Sequence, residues 1–353
     1  MAETYRAAII GAAGIARTHA GYFGAHERTE LVAVADIRED RLNSWCDERG
    51  VERRYLDVAR MLEEVQPDIV SVCTWNSTHP ELSIQAAEAG AKAVISEKPM
   101  GEDYGGPADA VARLEELGCY FVVHHQTRFS PGYNAAKQLI ADGAIGMPVM
   151  VHWTSGRGLL NIGSHLIDNC RWILGDPAWT AVVGWIQRET DRYERGSWCE
   201  EKTHALIEFE GGHEMMLSID MEDQRKYSEW SFTGPEGSIR FSREQAVLYN
   251  DQPQHDPLSL PQEQGYLEEL IAWMEGGPEH RNVARQALVT QQIMMAIYQS
   301  ARVRGRIEPP YELRECPLAE MIVAGELPAE GEPHDISHDA ALEYVRERYG
   351  RAT

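Results

Sequence analysis

"AIIGAAGIARTHAGYF" (residues 8–23) places a glycine-rich turn between a short apolar run and a helix-forming segment. In dinucleotide-binding folds such a turn lets a pyrophosphate approach backbone N–H groups at a helix N-terminus, where the helix dipole favours an anion. Gly11 takes the first position of G-x-G-x-x-G. Ala13 replaces the second glycine, and Ala16 stands at the third, where alanine is allowed. The Ala13 methyl costs close approach, while Gly14 beside it restores flexibility. The same turn also tightens a strand–helix join that holds no ligand, so the next acid matters. Asp36 ends the run "LVAVAD" (31–36), close to the ~20-residue spacing of the acid that binds the ribose 2′-hydroxyl. A carboxylate there repels a 2′-phosphate and favours NAD; Arg38, two residues on, leaves room for NADP. A plainer use of Asp36 is to N-cap a helix beginning near Arg38, and both roles can coexist.

Outward from this turn, strands and helices alternate. "RAAIIG" (6–11), "LVAVAD" (31–36), "DIVSVCT" (68–74), "AKAVIS" (91–96) and "CYFVVH" (119–124) are mostly continuous apolar runs, as expected for strands covered on both faces. "HPELSIQAAEAG" (79–90) is a helix ending at Gly90. After "FSPGYNAAKQLIADGAIGMP" (129–148) the texture changes. One helical stretch, "GSHLIDNCRWILG" (163–175), precedes alternating runs such as "THALIEFEGGHEMMLSID" (203–220) and "RKYSEWSFTGPEGSIRFS" (225–242), and Gly211-Gly212 is a hairpin signal. Two helices near 263–275 and 282–303 close this part, and Pro-rich sequence follows, ending in "HDAALEYVRERYG" (338–350). The pattern predicts an α/β Rossmann doubly wound parallel sheet over 1–125. A C-terminal α+β domain with a large, mostly antiparallel sheet follows over 126–307, then a tail over 308–353.

The 353 residues are too many for one ordinary core. With 43% hydrophobic and 25% charged residues the composition is that of a soluble globular protein. A net charge of −23 repels phosphate backbones and anionic lipid, so neither nucleic acid nor membrane is an expected partner. The six cysteines form no C-x-x-C pair, which fits a reducing compartment. "MAETYRAAIIGAAGIA" lacks the features of a signal peptide, and the expectation is a cytoplasmic protein.

"AKAVISEKPM" (91–100) runs from a core strand into an acid, a lysine and a proline. Ligands of open α/β sheets bind beyond the carboxyl ends of the strands, and Lys98 lies at such an end. Pro99 fixes the backbone beside it, though a lysine at a strand end is often merely solvated. In "LLNIGSHLIDNCRW" (159–172), Asn161, His165 and Asp168 follow i, i+4, i+7 spacing and would share one helix face, with Asn161 just before the first turn. The dipole at the helix N-terminus favours the neutral, proton-accepting form of His165. Satisfied core hydrogen bonds would equally explain such a stripe. His124 and His125 adjoin on a strand and so face opposite ways, one expected buried and one exposed. No metal site is expected, and His125 or Gln126 beside a pocket is the minor alternative.

Taken in order, the turn at 11–16, "CTWNSTH" (73–79), "EKP" (97–99), "RFSPGYNAAKQLIADGAIG" (128–146) and "NIGSHLID" (161–168) resemble the glucose–fructose oxidoreductase / inositol dehydrogenase / MocA family of NAD(P)-dependent oxidoreductases. The resemblance implies that Lys98 sits between nicotinamide and substrate, followed by a cis peptide, as a hydroxyl ligand and member of a proton relay. It makes His165 the acid/base, Asp168 a contact to a sugar hydroxyl and Arg128 a residue of the substrate pocket. Asn161 replaces the family's aspartate and cannot hold a negative charge against an imidazolium. Gly11, Ala13, Gly14, Ile15, Asp36, Arg38, Thr74, Asn76, His79, Glu97 and Lys98 form the implied cofactor set, with Trp75 where proline is common.

The implied chemistry is hydride transfer between a carbinol carbon and nicotinamide, with a positive ring favouring deprotonation of Lys98. A sugar, glycoside or polyol is the expected substrate, and the nine Trp and fourteen Tyr are a supply for stacking on sugar faces. Two other readings stay open. One is glycoside cleavage through transient oxidation with retained NAD; the other is an NAD-binding regulatory protein without turnover. The family's open sheet face implies a homodimer or homotetramer.

Overall fold

Six short strands, β1 (Tyr5–Ile10), β2 (Thr29–Ala35), β3 (Arg53–Tyr55), β4 (Ile69–Val72), β5 (Ala93–Ser96) and β6 (Tyr120–Val123), pair in parallel in the order β3-β2-β1-β4-β5-β6. The computed structural model describes residues 4–147, 149–220, 230–251, 256–261, 264–327 and 329–337. Helices α1 (Ala16–Ala25), α2 (Glu39–Asp47), α3 (Val58–Val65), α4 (His79–Glu88) and α5 (Gly105–Glu116) alternate with these strands. β4 and β5 are fully buried, as are all of β1 but Arg6 and all of β6 but Tyr120, as their apolar runs require. The strand order reverses between β1 and β4, the switch point beyond which ligands of such sheets bind. β3 is a short, polar edge strand that apolar patterning does not announce. Asp57 caps α3 by accepting the Arg60 N–H at 2.9 Å, and Gly90 follows α4 with φ +98°.

The chain divides into two compact units, one of residues 1–101, 105–124 and 264–288, the other of 102–104, 125–263 and 289–353. Residues 264–288, expected in the second domain, thus belong to the first unit. Helix α8 (Tyr266–Met274) lies in that stretch, Val283 bridges to Val122 on β6, and Val123 N–H donates to the Asn282 carbonyl at 3.0 Å.

The second unit holds helices α6 (Pro131–Ala141), α7 (Ser164–Ile173), α10 (Pro317–Val323) and most of α9 (Ala284–Val303). Its strands are β7 (Met150–Ser155), β8 (Trp179–Gln187), β9 (Thr190–Glu194), β10 (Ser197–Trp198), β11 (Lys202–Phe209), β12 (Glu214–Asp220), β13 (Trp230–Gly234), β14 (Gly237–Phe241), β15 (Ala246–Tyr249) and β16 (Glu330–Asp335). Seven form one sheet, β15-β14-β13-β7-β12-β11-β8, antiparallel at every join except β7 with β12. The β11–β12 hairpin turns at Gly211 and Gly212, whose φ of +81° and +77° are the left-handed values that glycine tolerates. A smaller sheet, β10-β9-β16, takes its last strand from the tail, so this part of the tail is structured. The amphipathic stretch at 338–350 lies outside the described residues.

One face of the large sheet carries the core of this unit, where Trp153 sits edge-on to Phe232 at 5.6 Å and beside Phe241 at 5.9 Å. The other face exposes Met150, Val183, Trp185 and Met216; cross-strand pairing sets Val183 against Leu206 and Leu206 against Met216. All six cysteines are free thiols. Trp153 is 1% exposed, so Trp153→Ala should cost about 3–5 kcal/mol through the cavity it leaves, read from denaturant unfolding followed by tryptophan fluorescence. A loss under ~1 kcal/mol would contradict the close packing assigned to this core.

Candidate functional site

The turn after β1 begins with Gly11 at φ +95°, and a Cβ there would stand 2.7 Å from the Cys73 carbonyl oxygen. No side chain fits. The carbonyls of Ala13, Gly14 and Ile15 accept the first helical N–H groups of α1, at 3.2, 3.3 and 2.9 Å. Their own N–H groups have no protein acceptor among the described residues, and orphan amides at a helix N-terminus are the kind of donor set that suits an anion. Asp36 follows β2 and is buried. Its Oδ2 accepts the Ala12 N–H at 2.7 Å and its Oδ1 the Arg38 N–H at 2.8 Å. Arg41 closes on the same carboxylate, Nε on Oδ2 at 3.0 Å and Nη2 on Oδ1 at 2.7 Å. α2 has Arg38 at its N-cap, so Asp36 does not cap that helix; it fixes the turn ahead of it.

Beyond β4, Thr74 Oγ1 lies 2.7 Å from Thr78 Oγ1, and Asn76 is buried on a short turn of 3₁₀ helix. His79 is buried too. Its Nδ1 lies 2.8 Å from the Pro99 carbonyl and its Nε2 3.1 Å from the Thr74 carbonyl, tying the loop after β4 to the one after β5.

Glu97 explains the acid at the tip of β5. Its Oε1 lies 2.6 Å from His124 Nδ1 and 3.1 Å from His19 Nε2, all three residues being buried. The far nitrogen of each imidazole is held as well, His19 Nδ1 by Ser71 Oγ at 3.0 Å and His124 Nε2 by Tyr22 Oη at 3.1 Å. Burial pushes the Glu97 carboxyl up, yet His124 and His19 outweigh it and hold it well below the usual range. Burial, reinforced by His124, lowers the His19 imidazole. Glu97 Oε2 accepts the Lys98 N–H at 3.2 Å, Lys98 is buried, and the Lys98–Pro99 peptide is cis. The donor atoms of His19, Glu97 and His124 lie within 4.8 Å of one another, a set able to hold a metal ion. Ligand atoms around a tetrahedral zinc stand roughly 3.4 Å apart, however, whereas 2.6 and 3.1 Å are hydrogen-bond separations. The cluster is a hydrogen-bonded network. Residues 19, 97 and 124 are far apart in sequence, so nothing in their spacing signals it.

In the second unit, one turn of π-helix (Leu159–Gly163) carries Asn161 directly into α7, which carries His165 and Asp168. π turns occur often at functional sites. Asp168 and Arg128 are each 1% exposed and clasp each other, Nε on Oδ2 and Nη2 on Oδ1, both at 2.7 Å. Burial alone would raise the Asp168 carboxyl, but the Arg128 guanidinium, with His125, holds it below its usual value. His125 Nδ1 lies 3.3 Å from Asp168 Oδ1, and its ring stands edge-on to half-buried His165 with centroids 5.6 Å apart. His124 and His125 do face opposite partners, but neither is exposed. Both are buried, because each meets a carboxylate. Asn161 Nδ2 donates to Glu194 Oε1, and Glu194 Oε2 also accepts the Gly158 N–H at 3.1 Å. Sequence patterning gives no hint of Glu194, the last residue of the short, polar strand β9.

The chain matches a model of the Gfo/Idh/MocA oxidoreductase family, NAD-binding Rossmann fold, over residues 5–125, and the C-terminal alpha/beta domain of the same family over 137–308. It is 27% identical over 349 residues to D-glucoside 3-dehydrogenase of Escherichia coli, covering 86% of this chain and 97% of the relative. D-apiose dehydrogenase of Paraburkholderia graminis is 25% identical, with 92% and 94% covered. The fold is shared with the WlbA dehydrogenase of Bordetella pertussis, solved with NADH and UDP-GlcNAcA, at a TM-score of 0.74, 23% identity and coverage of 88% and 100%. No described helix is long and apolar enough to cross a membrane.

A carboxylate whose native pKa is depressed stabilises the fold above its unfolded value and loses that contribution as pH falls through the native one. The melting temperature should therefore drop as pH falls below about 4.3, the unfolded value for Glu, and this acid limb should flatten in Glu97→Gln. Identical limbs in the two proteins, by calorimetry, would remove Glu97 from this role.

Proposed function

Since the chain belongs to the Gfo/Idh/MocA family of NAD-binding oxidoreductases, we propose that it moves a hydride between nicotinamide C4 and a carbinol carbon of a sugar, glycoside or polyol. Lys98 and His165 serve as its proton-relay and acid–base residues. The observation that supports this best is a buried lysine at the end of β5, its backbone pinned by a carboxylate that two imidazoles hold ionised. NAD, bound at the Gly11 turn, supplies the redox step; the Ala13–Ile15 amides and the Gly11 backbone shape the turn that takes its phosphates. In the oxidation direction the hydroxyl proton must leave as the carbinol C–H departs as hydride, and Lys98 and His165 are the basic groups assigned to take it up. His125, held at Nδ1 by Asp168, orients beside His165, while Arg128 keeps Asp168 ionised. A carboxylate only accepts hydrogen bonds, so Glu194 must face the amide nitrogen of Asn161. That turns Oδ1 to the opposite side as an acceptor, and Glu194 supplies the charge that asparagine lacks. The names of the relatives matched over most of their length, dehydrogenases of a D-glucoside and of D-apiose, support sugars as the substrate class.

The exposed apolar face of the large sheet is, on this reading, covered by a second copy of the chain in a homodimer or homotetramer. Trp185→Glu, a change at an exposed position of β8, should lower the mass measured by light scattering to that of a smaller assembly. An unchanged mass, or a monomeric parent, would remove this face as the interface.

Lys98→Ala and His165→Ala should each lower kcat by at least ~100-fold with methyl glucosides, free aldoses and inositols as substrates, followed as NADH at 340 nm. NAD affinity should change little in His165→Ala. Near-parental turnover in either variant would overturn the assignment. Cleavage of a glycoside without net NADH would instead support the retained-cofactor reading, and NAD binding with no turnover of any substrate the regulatory one.

A further inference from the structure

We propose that Arg41 is a specificity residue that cancels the bias of Asp36 against a 2′-phosphate, so that the first unit takes NADP as well as NAD. This rests on the dinucleotide-binding reading of that unit. An ionised carboxylate offers about four lone-pair positions on its two oxygens. In Asp36 all four are filled, by the N–H groups of Ala12 and Arg38 and by Nε and Nη2 of Arg41, at 2.7, 2.8, 3.0 and 2.7 Å. Three consequences follow from this filling. The two backbone donors lock the carboxylate in place, because the segments that supply them are themselves fixed: Gly11 N–H bonds to Ala35 O at 2.7 Å and Asp36 N–H to Tyr55 O at 3.0 Å. The guanidinium neutralises its charge in a bidentate pair, the arrangement in which Arg acts most strongly. A ribose diol cannot be accepted until Arg41 moves off.

Arg41 is placed to do so. The Asp36 side chain is 2% exposed, whereas that of Arg41 is 34% exposed and starts from the first turn of α2. Its remaining nitrogen, Nη1, has no partner among the described residues. With NAD, the guanidinium swings aside and the carboxylate accepts the ribose hydroxyls. With NADP, the guanidinium remains between carboxylate and phosphate, and its planar donors suit a phosphate as well as a carboxylate. Arg38 is the weaker participant. Its side chain points to Asp40, 3.4 Å away, and both are exposed, so its contribution to Asp36 is the backbone N–H.

The test reads binding alone and needs no substrate. Dissociation constants for NADH and NADPH are measured by the quenching of protein fluorescence, for the parent, Arg41→Ala, Arg41→Lys and Asp36→Ser. The parent should bind the two within about tenfold of each other. Arg41→Ala should weaken NADPH by roughly tenfold or more, the scale of a lost charged hydrogen bond, and leave NADH unchanged or tighter. Arg41→Lys, which keeps charge without the fork, should fall between. Asp36→Ser should weaken NADH and leave NADPH equal or tighter, because Arg41 is then released to the phosphate. A parent that rejects NADPH by more than ~100-fold, or an Arg41→Ala protein that loses both nucleotides equally, overturns the proposal. Failure to bind either nucleotide in the parent would instead overturn the dinucleotide-binding reading beneath it.

Discussion

Glu97 is a buried anion, and the end of β5 is built around it. An ion of this kind costs several kcal/mol to desolvate, and removing one partner of a buried pair typically costs about 3–5 kcal/mol. The cost is offset by imidazoles from two separate segments, His19 on α1 and His124 after β6. Each imidazole is itself held, by Ser71 on β4 and Tyr22 on α1. The helix after the glycine turn and the loops or strands at three neighbouring strand ends are thereby referred to one oxygen atom. The other oxygen holds the Lys98 N–H, so the lysine inherits its position from the whole network. His79 reinforces this from below the loop through the Pro99 carbonyl.

The second unit uses the same device twice around its π turn. Glu194 accepts the Gly158 N–H, and Glu200 accepts the Leu159 N–H at 2.8 Å, so two carboxylates meet the unpaired amides where the π turn begins. Glu200 also takes hydroxyls from Thr203 and Tyr298 at 2.8 Å each, which compensates a carboxyl that burial pushes up. β9, which carries Glu194, is bordered by β16 from the tail. Asp335 at the end of β16 accepts the Gly196 N–H at 2.8 Å, and Ile336 N–H bonds to Tyr193 O at 2.9 Å. The tail strand thus braces the segment that orients Asn161.

Much of the fold was legible because it rests on local patterning. Continuous apolar runs announced β1, β2, β4, β5 and β6, and the Gly211-Gly212 signal announced the β11–β12 hairpin. β3 escaped because three partly exposed residues, Arg53–Tyr55, carry no apolar run. The return of residues 264–288 to the first unit escaped because its cause is the pairing of Val122 with Val283, a contact no local pattern encodes. The site divides along the same line. Gly11, Asp36, Lys98 and His165 stand in motifs, whereas His19, His124, His125 and Glu194 are defined only by the atoms they meet. The sequence pattern puts the adjacent histidines on a strand, where they would face opposite ways; they follow the end of β6 instead, and alternation does not say what lies on either side. Here each side holds an acid, Glu97 for one and Asp168 for the other, so both rings are buried.

Asp36 shows why a motif acid is an incomplete statement about specificity. Its position after β2 fixes where a carboxylate stands, and the fingerprint assumes that this carboxylate meets the ribose with its full charge. Charge at a site is a property of the set of groups within contact distance, and Arg41 is five residues from Asp36 in sequence and 2.7 Å away in space. A buried acid that already holds two backbone donors gains little from a third and fourth unless they carry charge, so the bidentate pair is the term that decides the local potential. The Asp36 carboxylate is therefore paired with a guanidinium whose side chain is 34% exposed, in contrast to Glu97, whose imidazole partners are as buried as the acid itself.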